Sequence, residues 1–265
     1  MGRSGAEGVG ERSMVSIVMP AYNAGRYIEE AIDSVLNQIY KNWESIVVDD
    51  CSRDNTRQIL DRYISQYSNI HYYKNEHNLG SADARNLGVS VAAGEWIAYL
   101  DSDDCWHPDK LQLQMELAEK TQAEFLFTGS AFIDEESRPL DYFLPAPEKV
   151  SYQELLKQNV VSCSSVLIRK ELAEEYPMKQ ASRLHEDFAV WLQILRDKKI
   201  CAYGVNQPLL VYRISSKSKS GNKVKAAKMT FRVYRYLGLS FGASVYYWMF
   251  YFVRSLRKYR NLKMK

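Results

Sequence analysis

Apolar residues fall into two alternating rhythms over the first hundred positions. Short continuous runs at Val15–Pro20 (VSIVMP), Ser45–Val48, Ile70–Tyr73 and Trp96–Leu100 (WIAYL) predict strands buried on both faces. Between them the spacing changes to that of one helix face. Ile28, Ala31, Ile32, Val35 and Leu36 recur at i, i+3, i+4, i+7 and i+8, and Ile59, Leu60, Tyr63 and Ile64 mark a second helix over Asn55–Tyr67. A third helix is predicted over Ser81–Ala93, with Ser81 as its cap and Gly94 as its stop. Four β-α repeats with unbroken apolar strands predict an α/β fold around a mostly parallel sheet flanked by helices. In open sheets of this kind, ligands bind at the carboxyl ends of the strands. Asp49, Asp50, Asp101 and Asp103 all fall at such ends.

The second half is less regular. His107-Pro108 opens a helix to about Gln122, followed by a strand over Glu124–Phe132 and a Pro-containing loop over Arg138–Glu148. Ser151–Gln158 is expected to be a short helix and Ser165–Ile168 a strand. The stretch His185-Glu186-Asp187 precedes a helix bearing Val190, Trp191, Ile194 and Leu195. Pro208–Ile214 is the last expected strand, Ser215–Asn222 a polar loop, and Lys223 onward is helical. The expected division is a flexible leader (residues 1–13), a catalytic domain (14–221) and a C-terminal helical tail (222–265) that is basic and aromatic-rich.

Composition sharpens this picture at two points. The 265 residues are 46% hydrophobic and 25% charged, ordinary for a globular protein. The net charge of +3 conceals an asymmetry, because no Asp or Glu follows Asp197. From Lys198 onward there are 16 Lys/Arg, against 19 basic and 32 acidic residues before it. An acidic body with a basic tail points the tail at something anionic. Four scattered cysteines without a C-x-x-C pair fit reduced thiols in the cytoplasm, and the polar leader has no signal-peptide run.

The chemistry gathers at the strand ends. Alternate residues past a strand, Asp101-Ser102-Asp103, can aim two carboxylates into one crevice, where a hard divalent cation (Mg²⁺ or Mn²⁺) relieves their repulsion. The same residues could instead cap the helix that follows. Asp49 could accept hydrogen bonds from a nucleotide base or ribose, while Ser52 or Asp54 caps a helix. Arg85 could pair with a phosphate or brace Asp49 or Asp101. Glu186 and Asp187 could simply complement a helix dipole or supply a general base.

The segments MVSIVMPAYN, ESIVVDDCSRDNT, NLGSADARNLG, GEWIAYLDSDD and HEDFAVWL, in this order, resemble the family 2 glycosyltransferases with the GT-A fold. The resemblance is nearest to bacterial enzymes building cell-surface polysaccharides of the teichuronic acid and O-antigen types. It implies an inverting sugar transferase with a nucleotide-sugar donor, expected to be a UDP-sugar, and Mg²⁺ or Mn²⁺. By motif, Pro20, Ala21, Tyr22 and Asp49 would hold the uridine. Ser102 would join the donor site, Asp101 the ribose or metal shell, Asp103 the metal, and Asp187 would be the catalytic base. Arg213 and its Ser-rich sequel resemble a loop over the donor diphosphate. Cys51 stands where the family has Gly, at a turn needing positive φ.

The expected acceptor is a saccharide or an undecaprenyl-type lipid-linked saccharide, with its pocket around Ser162–Ser165 and Arg138–Glu148. No nucleic-acid partner is expected. The uncharged stretch Leu237–Val253, flanked by Arg residues and rich in Tyr, Trp and Phe, suggests a segment lying on the anionic inner face of the cell membrane. A helix packed on the catalytic domain and a membrane span are its alternatives. A sugar nucleotidyltransferase is the rival enzyme, but Ala21–Gly25 lacks the Gly-rich, Arg-containing loop expected there. A dinucleotide-dependent oxidoreductase lacks its G-x-G-x-x-G. A non-catalytic scaffold would not be expected to keep every carboxylate.

Overall fold

The computed structural model describes residues 13–179, 184–215 and 223–260. Most of the expected leader, residues 216–222 of the polar loop and the last five residues of the tail lie outside these.

The strand-helix alternation read from the sequence is present. β1 (Val15–Ala21), β2 (Trp43–Asp49), β3 (Ile70–Lys74) and β4 (Trp96–Tyr99) alternate with α1 (Ile28–Leu36), α2 (Thr56–Gln66) and α3 (Ser81–Val91). Then come β5 (Cys105–Trp106), α4 (Lys110–Thr121), β6 (Phe125–Ile133), β7 (Pro139–Leu144), β8 (Lys149–Val150) and α5 (Tyr152–Lys157). A 3₁₀ turn at Cys163–Ser165 leads to β9 (Leu167–Arg169), α6 (Lys170–Glu175), α7 (Glu186–Asp197), β10 (Ala202–Arg213), α8 (Lys223–Tyr236) and α9 (Phe241–Arg260).

All ten strands form one sheet, ordered β3-β2-β1-β4-β9-β6-β10-β5, with β7 on β6 and β8 on β10. The long pairings, β1 with β2 and β4, β2 with β3 and β6 with β10, are parallel, and the antiparallel joins are short. β1 lies where the strand order reverses, the usual place for a ligand crevice. Its side chains alternate between two cores. Ile17 and Met19 pack with the α1, α2 and α4 residues Ile32, Leu60 and Leu111, while Val18 packs with the α3 and α7 residues Val89 and Trp191.

Four differences from the sequence reading have local causes. The expected loop over 138–148 contains β7, whose half-exposed side chains gave no unbroken apolar run. Gly80, not Ser81, is the α3 cap. β10 begins at Ala202, six residues before the expected Pro208, because its register with β6 shifts on both sides of that proline. The single tail helix is two. Gly238 at φ +81 closes α8, donating to the Arg235 carbonyl at 3.1 Å, while Leu239 donates to the Tyr234 carbonyl at 3.1 Å.

Both tail helices pack on the body. Val233, Tyr234 and Leu237 are buried in the core that holds Leu156, Phe188 and Trp191. The Tyr234 hydroxyl donates to the Leu156 carbonyl at 2.6 Å, and the Trp248 indole to the Ala227 carbonyl at 2.8 Å. Among the described residues, no helix is long and apolar enough to cross a membrane.

Candidate active site

The loops after β1 and β2 lock together to make one wall of a crevice. Asn23 N–H donates to Ser52 Oγ (2.9 Å), and Arg53 N–H donates back to Asn23 Oδ1 (2.8 Å). Ala24 and Gly25 donate to Thr56 Oγ1 and Asp54 Oδ2 at 2.8 and 3.0 Å. The approach is so close that a Cβ on Gly25 would lie 2.0 Å from Asn55 Oδ1. Cys51 takes φ +69, so the turn that usually needs Gly forms here with a side chain in the left-handed region. Pro20 and Ala21 are buried at the end of β1, and the Ala21 carbonyl accepts from Asp50 N–H at 2.8 Å. Tyr22, half exposed, is the aromatic ring presented at this rim.

The first acidic pair builds the floor rather than facing solvent. Asp49 is 1% exposed and accepts from Ser52 N–H and the Tyr72 hydroxyl, both at 2.8 Å. Asp49 thereby supports the turn that carries Ser52. Asp50 accepts from Asn75 Nδ2 (2.8 Å), Leu79 N–H (2.9 Å) and Gly80 N–H (2.7 Å), and so fixes the approach to α3.

The second acidic group follows β4. Asp101 receives a short hydrogen bond from Arg85 on α3, and its N–H donates to Ser164 Oγ at 3.1 Å. Of the two roles open to Arg85, the geometry is that of a brace for Asp101. Burial opposes the charge of Arg85, but the adjacent Asp101 carboxylate outweighs it and holds the guanidinium protonated. Asp103 is part-buried and accepts no hydrogen bond from another described residue. Burial and then the Asp101 charge push its carboxyl up to about 6. Ser102 sits part-buried in the turn between them.

Asp104 is wholly buried and accepts from Ser164 Oγ (2.6 Å) and Arg213 N–H (2.9 Å). Burial, then Asp103 and Asp101, raise its pKa. The sequence reading placed Ser164 in the expected acceptor pocket, not against the acidic run, and gave Asp104 no role of its own. Asp104 could have been singled out by its place in that run, but nothing local tied Ser164 to it.

Arg213 is not placed where the sequence suggested. Its side chain is fully buried beneath the site, not extended over it. The guanidinium donates to the Asp103 carbonyl (2.8 Å), the Asp134 carbonyl (3.1 Å), Ser137 Oγ (2.8 Å) and Glu30 Oε2 (2.8 Å), and lies 4.1 Å from the centre of the Tyr27 ring. These contacts join the ends of β4, β6 and β10 and leave it unsuited to a diphosphate.

Asp187 lies in the first turn of α7 and is part-buried, and it accepts no hydrogen bond from another described residue. Its charge acts on Arg85 and on Cys163, as does that of Asp101. Asn86 holds the preceding segment in place: its Nδ2 donates to the Met178 carbonyl (2.6 Å), and Met178 N–H donates to its Oδ1 (2.8 Å). Asp101, Asp103, Arg85 and Asp187 are thus brought together, although Asp187 is 84 positions beyond Asp103 in the chain.

Among the described residues, no group of three or more His, Cys, Asp or Glu is arranged to hold a metal ion. The donors available are the Asp103 carboxylate, with no hydrogen-bonding partner among the other described residues, and Asp101, with one oxygen bound to Arg85. Such a pair fits a cation that takes one or two carboxylates and draws its remaining oxygens from phosphate and water. All four cysteines are free thiols. A cavity of about 730 Å³, lined by residues including Tyr142, Leu144, Val160 and Arg254, covers part of the segment expected to meet the acceptor, but Ser162–Ser165 do not line it.

A sequence model described as "Glycosyl transferase family 2" matches residues 16–176, which excludes Asp187 and Arg213. The chain is 42% identical over 224 residues to the putative teichuronic acid biosynthesis glycosyltransferase TuaG of Bacillus subtilis, covering 84% of this chain and 88% of that one. It is 35% identical to the UDP-Glc:alpha-D-GlcNAc-diphosphoundecaprenol beta-1,3-glucosyltransferase WfgD of Escherichia coli, covering 93% of this chain and 95% of that one. Among solved structures, S. aureus TarS 1-349 in complex with UDP-GlcNAc is similar with a TM-score of 0.70 at 19% identity, covering 84% of this chain. The mannosyltransferase PcManGT from Pyrobaculum calidifontis in complex with GDP-Man and Mn2+ gives 0.66 at 18% identity, covering 85% of this chain. The chain spans just under two thirds of both solved chains, 65% and 64%.

Proposed function

The chain belongs to glycosyl transferase family 2 and has the GT-A fold, and from that premise we propose that it performs a single inverting displacement on a UDP-sugar. The acceptor in this reading is a hydroxyl of a lipid-linked saccharide in cell-surface polysaccharide synthesis at the cytoplasmic face of the membrane. The names of the relatives TuaG and WfgD, and the UDP-GlcNAc bound to TarS, support that substrate class. The observation that carries the proposal is the convergence of Asp101, Asp103 and Asp187, from two distant parts of the chain, with Asp103 and Asp187 accepting no hydrogen bond from another described residue.

In this reading Tyr22 stacks on the base, the turn at Pro20-Ala21 and the Ser52 turn held by Asp49 frame the nucleoside, and Ser102 faces the ribose. Asp101 and Asp103 would hold Mg²⁺ or Mn²⁺, which when bound offsets the negative charge on the departing diphosphate. Arg85 fixes the rotamer of Asp101. Asp187 accepts the proton of the acceptor hydroxyl as that oxygen attacks the anomeric carbon from the face opposite the leaving group.

Asp187→Asn should lower turnover by roughly 10²–10⁴-fold while UDP-sugar binding persists. Turnover near that of the wild type would remove Asp187 from the base role.

A further inference from the structure

The tail helix α9 has two apolar faces, and the fold uses only one. Ser244, Tyr247, Trp248 and Tyr251, at i, i+3, i+4 and i+7, turn inward against α5, α8 and the core. Tyr246, Met249, Phe250 and Val253 repeat the same spacing on the outside and are 53%, 60%, 41% and 50% exposed. A globular protein gains nothing from leaving such a stripe in water, and contiguous exposed apolar surface marks a contact.

Charge identifies the partner. The stripe lies within the portion of the chain that carries 16 Lys/Arg and no Asp/Glu, and Arg254 follows it directly. Arg257, Lys258 and Arg260 extend the same helix. Basic residues flanking an aromatic face are the composition of a helix that lies in the headgroup region of an anionic bilayer. At 20 residues and about 1.5 Å per residue, α9 could lie flat along roughly 30 Å of surface. Arg254 also lines the cavity shared with Tyr142 and Leu144, so a bilayer on this stripe would adjoin that opening.

We infer that the outer face of α9 is a docking surface for an anionic phospholipid bilayer, holding the crevice near an acceptor embedded in it. This rests on the proposed lipid-linked acceptor only for its purpose. Docking itself is independent of the reaction.

The test is flotation of the full-length chain with vesicles of equimolar phosphatidylglycerol and phosphatidylcholine, and with phosphatidylcholine alone. Binding to the anionic vesicles is expected, with about a tenfold loss on neutral vesicles or on raising salt from about 50 to about 500 mM. Met249→Glu/Phe250→Glu should abolish flotation without lowering the melting temperature. If that variant melts early, Arg254→Glu, at an exposed position, must weaken binding on its own. Wild-type flotation by both variants overturns the inference, as does a lack of flotation by the wild type. A wild-type dimer converted to monomer by the double variant would assign the stripe to a second copy and overturn it likewise. Transfer to a water-soluble saccharide acceptor should be unchanged in Met249→Glu/Phe250→Glu, so failure of docking is separable from failure of the enzymatic reading.

Discussion

Asp103 should make the protein less stable at neutral pH than it would be without that charge. Replacing it with Asn removes the charge and keeps the shape. In the native chain its carboxyl is pushed up to about 6 from an ordinary 3.8, first by burial and then by Asp101. The folded state therefore holds this proton more tightly than the unfolded state. The stabilisation is complete below pH 3.8 and is lost as the pH rises through about 6. At 1.4 kcal/mol per decade, that interval comes to about 3 kcal/mol. In EDTA, Asp103→Asn should match the wild type near pH 4 and exceed it at pH 7 by about 3 kcal/mol, roughly 6–12 °C in Tm.

Circular dichroism melts of both proteins at a series of pH values read the difference directly, and taking the difference cancels the titration of groups that the Asp103 charge does not reach. Mn²⁺ with UDP should then stabilise the wild type by about 2.7 kcal/mol at a hundredfold excess over Kd, raising its Tm, and leave the variant unmoved. An advantage for the variant that is absent, or constant from pH 4 to 7, would refute the reasoning, because only a desolvated charge produces the slope.

Cys51→Gly should raise stability by about 0.5–1 kcal/mol, since a side chain at φ +69 costs about 1–2 kcal/mol and the added freedom of Gly returns about half; urea unfolding checks it. Arg213→Ala should lower Tm by roughly 8–15 °C, about 3–5 kcal/mol, because it removes the four hydrogen bonds of a fully buried side chain, and differential scanning calorimetry measures it. Burial drives the pKa of Lys110 well down, although its Nζ donates to Gln114 Oε1 at 2.8 Å. Native Lys110 thus binds its proton less tightly than unfolded, so wild-type stability should gain on Lys110→Met as the pH rises toward 10.5, as paired melts at successive alkaline pH values will show.

What the sequence disclosed follows the range of the interactions. VSIVMP and WIAYL showed their burial in their own composition, and so did the apolar stripe of α1. α6, six residues reading KELAEE, is too short and too charged for any periodicity to emerge. β7 is an edge strand with alternate positions in solvent, and its Pro139 reads locally as a loop signal. The acidic site was legible because D-x-D after a buried strand is a local pattern. The Asp104 bracket was not, because its partners Ser164 and Arg213 lie 60 and 109 positions away. The same distance misled the reading of Arg213. An arginine before a Ser/Lys loop resembles a phosphate ligand until the fold buries it against Glu30.

That burial bears on the chemistry. Four carboxylates, Asp101, Asp103, Asp104 and Asp187, lie in the field of two arginines, and both arginines are already committed. Arg85 is bonded to Asp101, while Arg213 gives its charged contact to Glu30 and offers Asp103 only a bond to the main-chain carbonyl. Both still lower the Asp103 pKa, but burial and the Asp101 charge outweigh them. Had the Arg213 guanidinium instead reached the Asp103 side chain, the ion pair would have neutralised the carboxylate and relieved the strain without any ligand. The fold thus withholds an internal cation from a carboxylate that it has also desolvated. An external cation arriving with a diphosphate would offset this repulsion, and this links donor binding to the stability of the strand ends that carry the site.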